Sequence, residues 1–349
     1  MFAGVVHAQN DIRYEEIDTP LPAAGQVQVK VKYTGICGSD VPRVNGTACH
    51  FFPMVLGHEF SGVISQVGEG VTRVRVGDRV SGIPLVPCMK CDDCLKGNYS
   101  LCKHYSFIGS RQFGSFAEYV VVPETNVYPF DDEVSFEQGA LFEPSTVALH
   151  GLRVAGFKGG RRVAVVGTGT IGLLTLQWAR IFGASDLTAI NRSRGKLEIA
   201  ARLGADHTIS TLDEDYYEQA MAITGGQGFD YVFDATGNEA IMKDSLRLAA
   251  NRGTICMIGT PKHPMSFTVS EWEQINRKEC YLTGSWMSYS APFPGEEWEL
   301  TAYHFRKGDL VFDEAMIFDR LPLSRIPEAF ALYKKPGQVQ GKILIDSEG

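Results

Sequence analysis

Four cysteines crowd one short stretch, PCMKCDDCLKGNYSLC, where Cys88, Cys91, Cys94 and Cys102 form a C-x2-C-x2-C-x7-C run. Thiolates this close in sequence can complete a tetrahedral shell around Zn²⁺ and leave no open position, which makes such a site structural. An iron–sulfur cluster also takes four thiolates, but with the fourth at another spacing or from a more distant place. Unligated surface thiols would be an oxidation liability without compensation. The spacing predicts a lobe stapled by zinc.

A second set of donors is dispersed. Cys37 lies in TGICGSD, His58 and Glu59 in LGHEFSG, and Glu143 in LFEPSTVALHG, each beside Gly or Pro, where turn backbone can aim a side chain into a cleft. A Cys or a His alone is more often an ordinary core residue. A mixed sulfur, nitrogen and oxygen shell with three protein ligands leaves a position for water or substrate. Zinc in such a shell lowers the pKa of an alcohol oxygen, so that hydride can leave toward a nicotinamide.

That chemistry requires a nucleotide site. In VAVVGTGTIGLLTLQWA, Gly167, Gly169 and Gly172 form G-x-G-x-x-G after an apolar run, with Thr170 and Ile171 opening a helix. Glycines there let a pyrophosphate approach backbone N–H groups at the helix's positive end. The alternative is a plain strand-to-helix turn. An acid about 20 positions on would select NAD, but here the next strand ends in TAINRSR. Asn191 removes the negative charge, and Arg192 and Arg194 can bond a 2′-phosphate, so NADP is expected in preference to NAD. The alternative reading of these arginines is a solvated face.

Two kinds of element must position these residues. Residues 1 to about 148 carry short alternating runs such as Val27–Tyr33, Gly62–Val67 and Phe116–Val122 and read as an all-β, turn-rich region. From about residue 160, apolar runs alternate with helical stretches, which is how a parallel sheet covered on both faces reads. Strands are expected at Arg162–Val166, Leu187–Ile190, His207–Ile209, Tyr231–Ala235, Thr254–Ile258 and Tyr281–Gly284. Helices are expected at Ile171–Phe182, Gly195–Leu203, Glu214–Thr224, Glu239–Asn251 and Glu271–Arg277. Six strands with five crossovers make a complete doubly wound dinucleotide-binding sheet. A helix at Glu296–Arg306 and a strand at Lys342–Ile345 follow. The expected domains are 1–148 with the lobe at 88–102, 149–284 for the nucleotide, and 285–349 packing back on the first.

Composition bounds the rest. The chain has 349 residues, enough for two domains, with 44% hydrophobic and 21% charged, as in soluble globular proteins. No apolar run approaches the roughly 20 residues of a membrane span, and MFAGVVHAQNDIRYEE does not read as a signal peptide. A net charge of −8 argues against nucleic acid or an anionic membrane as partner. Eight cysteines used in this pattern indicate metal ligation in a reducing, cytoplasmic compartment.

With GICGSD, GHEFSG, the four-cysteine lobe, GDRV and GTGTIG in order, the sequence resembles the zinc-containing medium-chain dehydrogenases over essentially its whole length. The resemblance implies an α/β fold in which a Rossmann doubly wound parallel sheet joins a mostly β, GroES-like catalytic domain bearing the zinc lobe. It implies one structural zinc at the four cysteines and one catalytic zinc held by Cys37, His58 and Glu143, with Glu59 able to enter or leave the shell. Glutamate at 143, where alcohol dehydrogenases of the family often carry cysteine, is similar to the polyol branch. Ser39 is implied as a substrate contact and the start of a proton relay; an ordinary turn serine is the alternative. Pro42 departs from the pattern, standing where several members carry a relay histidine.

Within that branch, GICGSDVPRVNG, FFPMVLGHEFSG, YSFIGSRQFGSFAEY and GSWMSYSAPFPGEEWE resemble the dehydrogenases of galactitol 1-phosphate and arabinitol phosphate. The implied partner is a small polyol phosphate, oxidised to a ketose phosphate. Arg43, His50 and Arg111 are the basic residues in these segments and candidates to hold the phosphate; exposed arginines are more often only solvated. Trp286 and Tyr289 are candidates to line the cleft, or else core aromatics. A free-polyol dehydrogenase of sorbitol or threitol type is an alternative, as is a non-catalytic zinc- and nucleotide-binding protein, which the presence of Cys37, Ser39, His58 and Glu143 opposes. A homodimer or homotetramer is expected, paired through an exposed edge strand near Tyr281–Gly284.

Overall fold

The alternating runs at the start of the chain become strands because each has one face to bury. In Gln26–Gly35, Val27, Val29 and Val31 are inaccessible and share a core with Phe60, Ile64, Val80, Val120 and Val122. This computed structural model describes residues 1–335 and 337–349. The chain divides into one unit of Met1–Glu143, Tyr289–Gly308 and Phe312–Gly349, and another of Pro144–Ser288 and Asp309–Val311.

In the first unit a seven-stranded sheet runs in the order Val127–Pro129, Arg79–Gly82, Glu59–Val67, Gln26–Gly35, Lys342–Asp346, Ile317–Pro322, with Tyr119–Pro123 also pairing Gln26–Gly35. The C-terminal strand thus inserts beside Gln26–Gly35, pairing Leu344 with Gly35. A small sheet of Asp11–Glu16, Phe2–Ala8 and Met54–Val55 covers a second core with Phe116, Ile326, Phe330 and Ile343.

The reading of residues 1 to 148 as all β is corrected at its end. Ser135 and Gln138 form a capping box, each side chain accepting from the other's backbone N–H, and start a helix at Phe136–Ala140. A second helix, Phe142–Val154, follows directly. Glu143 therefore occupies the first turn of a helix and not a loop.

The second unit is built on six parallel strands, β1 (Arg162–Val166), β2 (Asp186–Asn191), β3 (His207–Ser210), β4 (Phe229–Asp234), β5 (Ala249–Met257) and β6 (Tyr281–Gly284). Their order across the sheet is β3-β2-β1-β4-β5-β6. The order reverses between β1 and β4, the switch point where open α/β sheets bind ligands beyond their strands' carboxyl ends. Helix α1 (Thr170–Ile181) leaves β1 at that point. The helix expected to run to Asn251 stops at Leu248, because Ala249 already pairs with Phe229 of β4. No helix among the described residues is long and apolar enough to cross a membrane.

Candidate metal centres and cofactor turn

The four cysteines of the lobe converge. Cys88 Sγ lies 4.0 Å from Cys94 Sγ, and Cys91 Sγ 3.9 Å from Cys102 Sγ. In a tetrahedral shell with Zn–S bonds of about 2.3 Å, sulfurs stand about 3.8 Å apart. The thiols therefore already trace the edges of such a shell, and none is in a disulfide. Backbone N–H groups of Cys94 and Lys103 push the Cys91 thiol down to about 6, whereas burial pushes Cys94 up to about 12. A cation is what would let all four ionise together.

The second group assembles from separate elements. Cys37 follows the strand Gln26–Gly35, His58 precedes the strand Glu59–Val67, and Glu59 pairs directly with Gly35. A sulfur, a ring nitrogen and a carboxylate oxygen from Cys37, His58 and Glu59 lie within 4.8 Å of one another. Glu143 is not one of that tight group. Its carboxyl is pushed up to about 7, first by burial and then by the balance of His58 and Lys342 against Glu59 and Asp40, so it shares their electrostatic neighbourhood. Ser39 is exposed, and its Oγ donates to Cys37 Sγ at 3.3 Å.

Two buried residues absent from the sequence reading complete the group. Asp40 Oδ2 accepts from Cys37 N at 3.1 Å, while Asp40 Oδ1 lies 3.4 Å from His58 Nδ1, both atoms buried without a hydrogen bond. A carboxylate behind the far nitrogen of a histidine is how metal-bound imidazoles are oriented. Burial opposes charge on His58, yet Asp40 and Cys37 outweigh it and raise its pKa well above the ordinary value, which marks a place that attracts positive charge. Lys342, on the C-terminal strand, donates to Glu59 Oε2 at 2.5 Å and to Ile36 O at 3.2 Å, and is buried with it. Burial disfavours its charge, but Glu59 and Cys37 outweigh that and raise its pKa. The donor set, the orphaned Asp40–His58 pair and the excess of acids over the single lysine all fit a divalent cation with mixed ligands. Asp40 was visible only as a polar residue three positions past Cys37; Lys342 gave no local signal.

The glycine turn fits a dinucleotide equally well. Gly167 has φ +89°, a conformation that favours glycine. A side chain at Gly172 would strike the Gly167 carbonyl, so this glycine lets the helix sit close to the strand. Gly169, capping α1, faces open space with nothing within 4 Å of a built Cβ. That is the room a pyrophosphate needs to reach the free N–H groups of the first turn. Asn191 ends β2, Arg192 is exposed, and Arg194 is held by Asp213 at 2.6 Å.

The remaining candidates divide. Burial, and then the charges of Arg111 and Arg43, lower the pKa of His50. Trp286 is 55% exposed, in keeping with a surface role. Tyr289 is a core residue: its hydroxyl accepts from Leu85 N and its ring stacks on Phe293 and Trp298.

Residues 23–132 match the family described as alcohol dehydrogenase GroES-like domain, and residues 170–302 match zinc-binding dehydrogenase. The chain is 39% identical over 274 residues to galactitol 1-phosphate 5-dehydrogenase of Escherichia coli (strain K12), covering 78% of this chain and 79% of that one. It is 34% identical over 337 residues to D-arabitol-phosphate dehydrogenase of Enterococcus avium, covering 95% and 93%. A sorbitol dehydrogenase of Halalkalibacterium halodurans is 34% identical over 282 residues, covering 80% and 81%. The crystal structure of galactitol-1-phosphate dehydrogenase from Escherichia coli superposes with a TM-score of 0.93 at 35% identity, covering 99% and 100%. A zinc-binding dehydrogenase from Sinorhizobium meliloti 1021 bound to NADP gives 0.89 at 29% over 99% and 98%, and an E. coli CFT073 alcohol dehydrogenase complexed with NADH gives 0.89 at 28% over 99% and 99%. With the GroES-like unit, the Rossmann sheet and both cation-shaped donor sets in one polypeptide, the chain belongs to the zinc-dependent medium-chain dehydrogenases, as a polyol dehydrogenase.

Proposed function

We propose that this enzyme oxidises a sugar-alcohol phosphate, galactitol 1-phosphate or a pentitol phosphate, to the ketose phosphate, with hydride passing to NAD(P). The observation that carries the reading is the gathering of half-buried Cys37 with buried His58 and Glu59, with the Glu143 carboxyl in their electrostatic field. Cys37, His58 and Glu143 would hold the catalytic zinc, with Glu59 in reserve, and Cys88, Cys91, Cys94 and Cys102 the structural one. Zinc bound there would supply Lewis-acid polarisation of the substrate hydroxyl, and a bound nicotinamide would supply the hydride acceptor. Asp40 orients His58, and Lys342, itself anchored on the Ile36 carbonyl, donates to Glu59 and fixes its position. Ser39, exposed at Cys37, receives the hydroxyl proton and passes it to water, since Pro42 has no proton to relay.

The two phosphate-named relatives support the substrate class, and the sorbitol dehydrogenase relative supports a second reading, a free polyol. NADP is the preferred cofactor in this reading, because β2 ends in Asn191 without a carboxylate and Arg192 stands exposed beside it; Arg194 contributes only by leaving Asp213. Self-association as dimer or tetramer would use the free edge of β6, where Tyr281 and Leu282 are exposed. Nicotinamide reduction by the purified enzyme, with polyol phosphates and free polyols, both cofactors, and with and without chelator, tests all of this. Chelator-sensitive turnover of a phosphorylated polyol is expected; no turnover of any polyol with zinc fully loaded contradicts it.

A further inference from the structure

Many surface guanidinium groups of this chain are tied to a carboxylate, Arg13 to Asp11, Arg180 to Asp206, Arg194 to Asp213 and Arg325 to Glu328 among them. A cavity of about 640 Å³ in the second unit gathers cations that are not. It lies by the amino ends of β1, β4 and β6, the opposite end of the sheet from the glycine turn at Gly167. Lys158, Arg161 and Arg252 all line it, and among the described residues none of the three has a carboxylate within ion-pair distance. The one lining carboxylate, Asp230, is taken up by Arg162, whose backbone N–H donates to it at 2.9 Å and whose Nε lies 3.4 Å away.

Both walls are pinned through the backbone. The segment that carries Lys158 and Arg161 is held where the Tyr231 hydroxyl donates to Gly156 O at 3.0 Å, Gly160 N to Gly183 O at 2.7 Å and Ser185 N to Arg161 O at 2.9 Å. Arg252 stands opposite, in a turn with φ +58°, a left-handed conformation that a residue of its size rarely adopts. Its N–H donates at 2.6 Å to the carbonyl of Lys278, whose ammonium in turn is spent on the carbonyls of Leu246, Arg247 and Ala249. The Tyr281 phenol raises the Arg252 pKa, ahead of the charge of Glu279. Between the walls, Tyr231, Thr254 and Tyr281 are in register across β4, β5 and β6. Three cations therefore face one cavity from fixed positions, in a chain of net charge −8, and repel one another with no acid of their own to offset it. Such a concave field draws in multivalent anions.

We propose that this cavity binds a small polyanion, a molecule bearing two or more phosphate or carboxylate groups, at a site separate from the cofactor turn. The volume falls within the roughly 300–1,000 Å³ of small-molecule sites. Arg161 and Arg252, on opposite walls, offer planar forks to oxygen pairs on different groups of the ligand, Lys158 adds a point charge, and Thr254 adds a hydroxyl donor. A ligand with one anionic group reaches only one wall. Binding there stabilises the second unit by mass action and does not depend on which polyol is oxidised.

Calorimetric titration of inorganic pyrophosphate, and separately of citrate, into the zinc-loaded enzyme saturated with nicotinamide cofactor tests the site with the glycine turn already filled. Arg252→Gly suits the left-handed backbone, so the guanidinium is lost while the fold is kept. Arg161→Gln removes the other fork, and Arg13→Gln, far along the chain and paired with Asp11, is the control. At least one of the two polyanions should bind the wild type, and the one that binds tells phosphate from carboxylate. Each cavity variant should weaken that binding about tenfold or more and the control by less than about twofold. Arg252→Gly should melt no lower than the wild type, and added polyanion should raise the melting temperature of the wild type more than that of Arg252→Gly. No binding of either polyanion to the wild type, or binding unchanged in Arg252→Gly or in Arg161→Gln, would overturn the site.

Discussion

The two donor sets of the first unit are written in the sequence in opposite ways. The lobe takes four identical donors from residues 88 to 102, and its sulfurs lie close to tetrahedral spacing, with backbone N–H groups of Cys94 and Lys103 on Cys91. The second group brings sulfur, nitrogen and oxygen donors together from Cys37, His58 and Glu59 at strand ends, and surrounds them with buried charge, Asp40 behind His58 and Lys342 on Glu59. A local set of like ligands closes a shell and serves stability. A dispersed, mixed set can leave a position open but needs the whole fold to hold its charges. The difference separates what a substitution should break in each region.

The largest contrast is between Cys102→Ala and Cys37→Ala. Loss of a lobe thiolate should cost several kcal/mol and lower the melting temperature by roughly 10 °C. Cys37→Ala should melt close to the wild type yet lose about a thousandfold or more in kcat/KM, the equivalent of about 4 kcal/mol of transition-state stabilisation. Calorimetric melts beside steady-state rates read both; similar melting losses in the two variants would erase the distinction. Next in size, Lys342→Met leaves Glu59 buried and unpaired and should destabilise by about 3–5 kcal/mol, while Lys342→Met with Glu59→Leu should recover most of it. Denaturant unfolding measures the recovery, and none would show that the pair is not what the dispersed site depends on. Asp40→Asn should loosen the second metal about 10–100-fold and leave the lobe's zinc in place, which chelator competition resolves. The smallest effect on stability belongs to Gly169→Ala in the cofactor turn, also written in consecutive residues: with nothing within 4 Å of the new methyl, stability should stay within about 0.5 kcal/mol while the KM for the nicotinamide rises.

What was legible in the sequence follows the same division. Features carried by neighbouring residues were readable: the lobe's spacing, the glycine turn, and the strands of the second unit, where β1 and β6 begin and end at the expected residues. The apolar runs of the central strands, such as Val163–Val166, are buried on both faces and leave little doubt of period. Boundaries decided by partners were not. The helix before β5 was read three residues too long because Ala249 is claimed by β4 across the sheet, and Glu143 was read as a turn residue although the capping box at Ser135 starts helical structure just before it. Lys342 was hidden for the strongest reason. It meets Glu59 only because the last strand inserts beside Gln26–Gly35, and nothing in KILID marks a buried lysine as part of a charged centre.

Metal content per chain tests the central claim, one closed and one open zinc site, most directly. Elemental analysis of purified protein should find two zinc ions in the wild type, one in His58→Ala and one in Cys102→Ala, with the chain still folded in His58→Ala. A single zinc that persists in His58→Ala and vanishes in Cys102→Ala, or iron in place of zinc in the lobe, would contradict it.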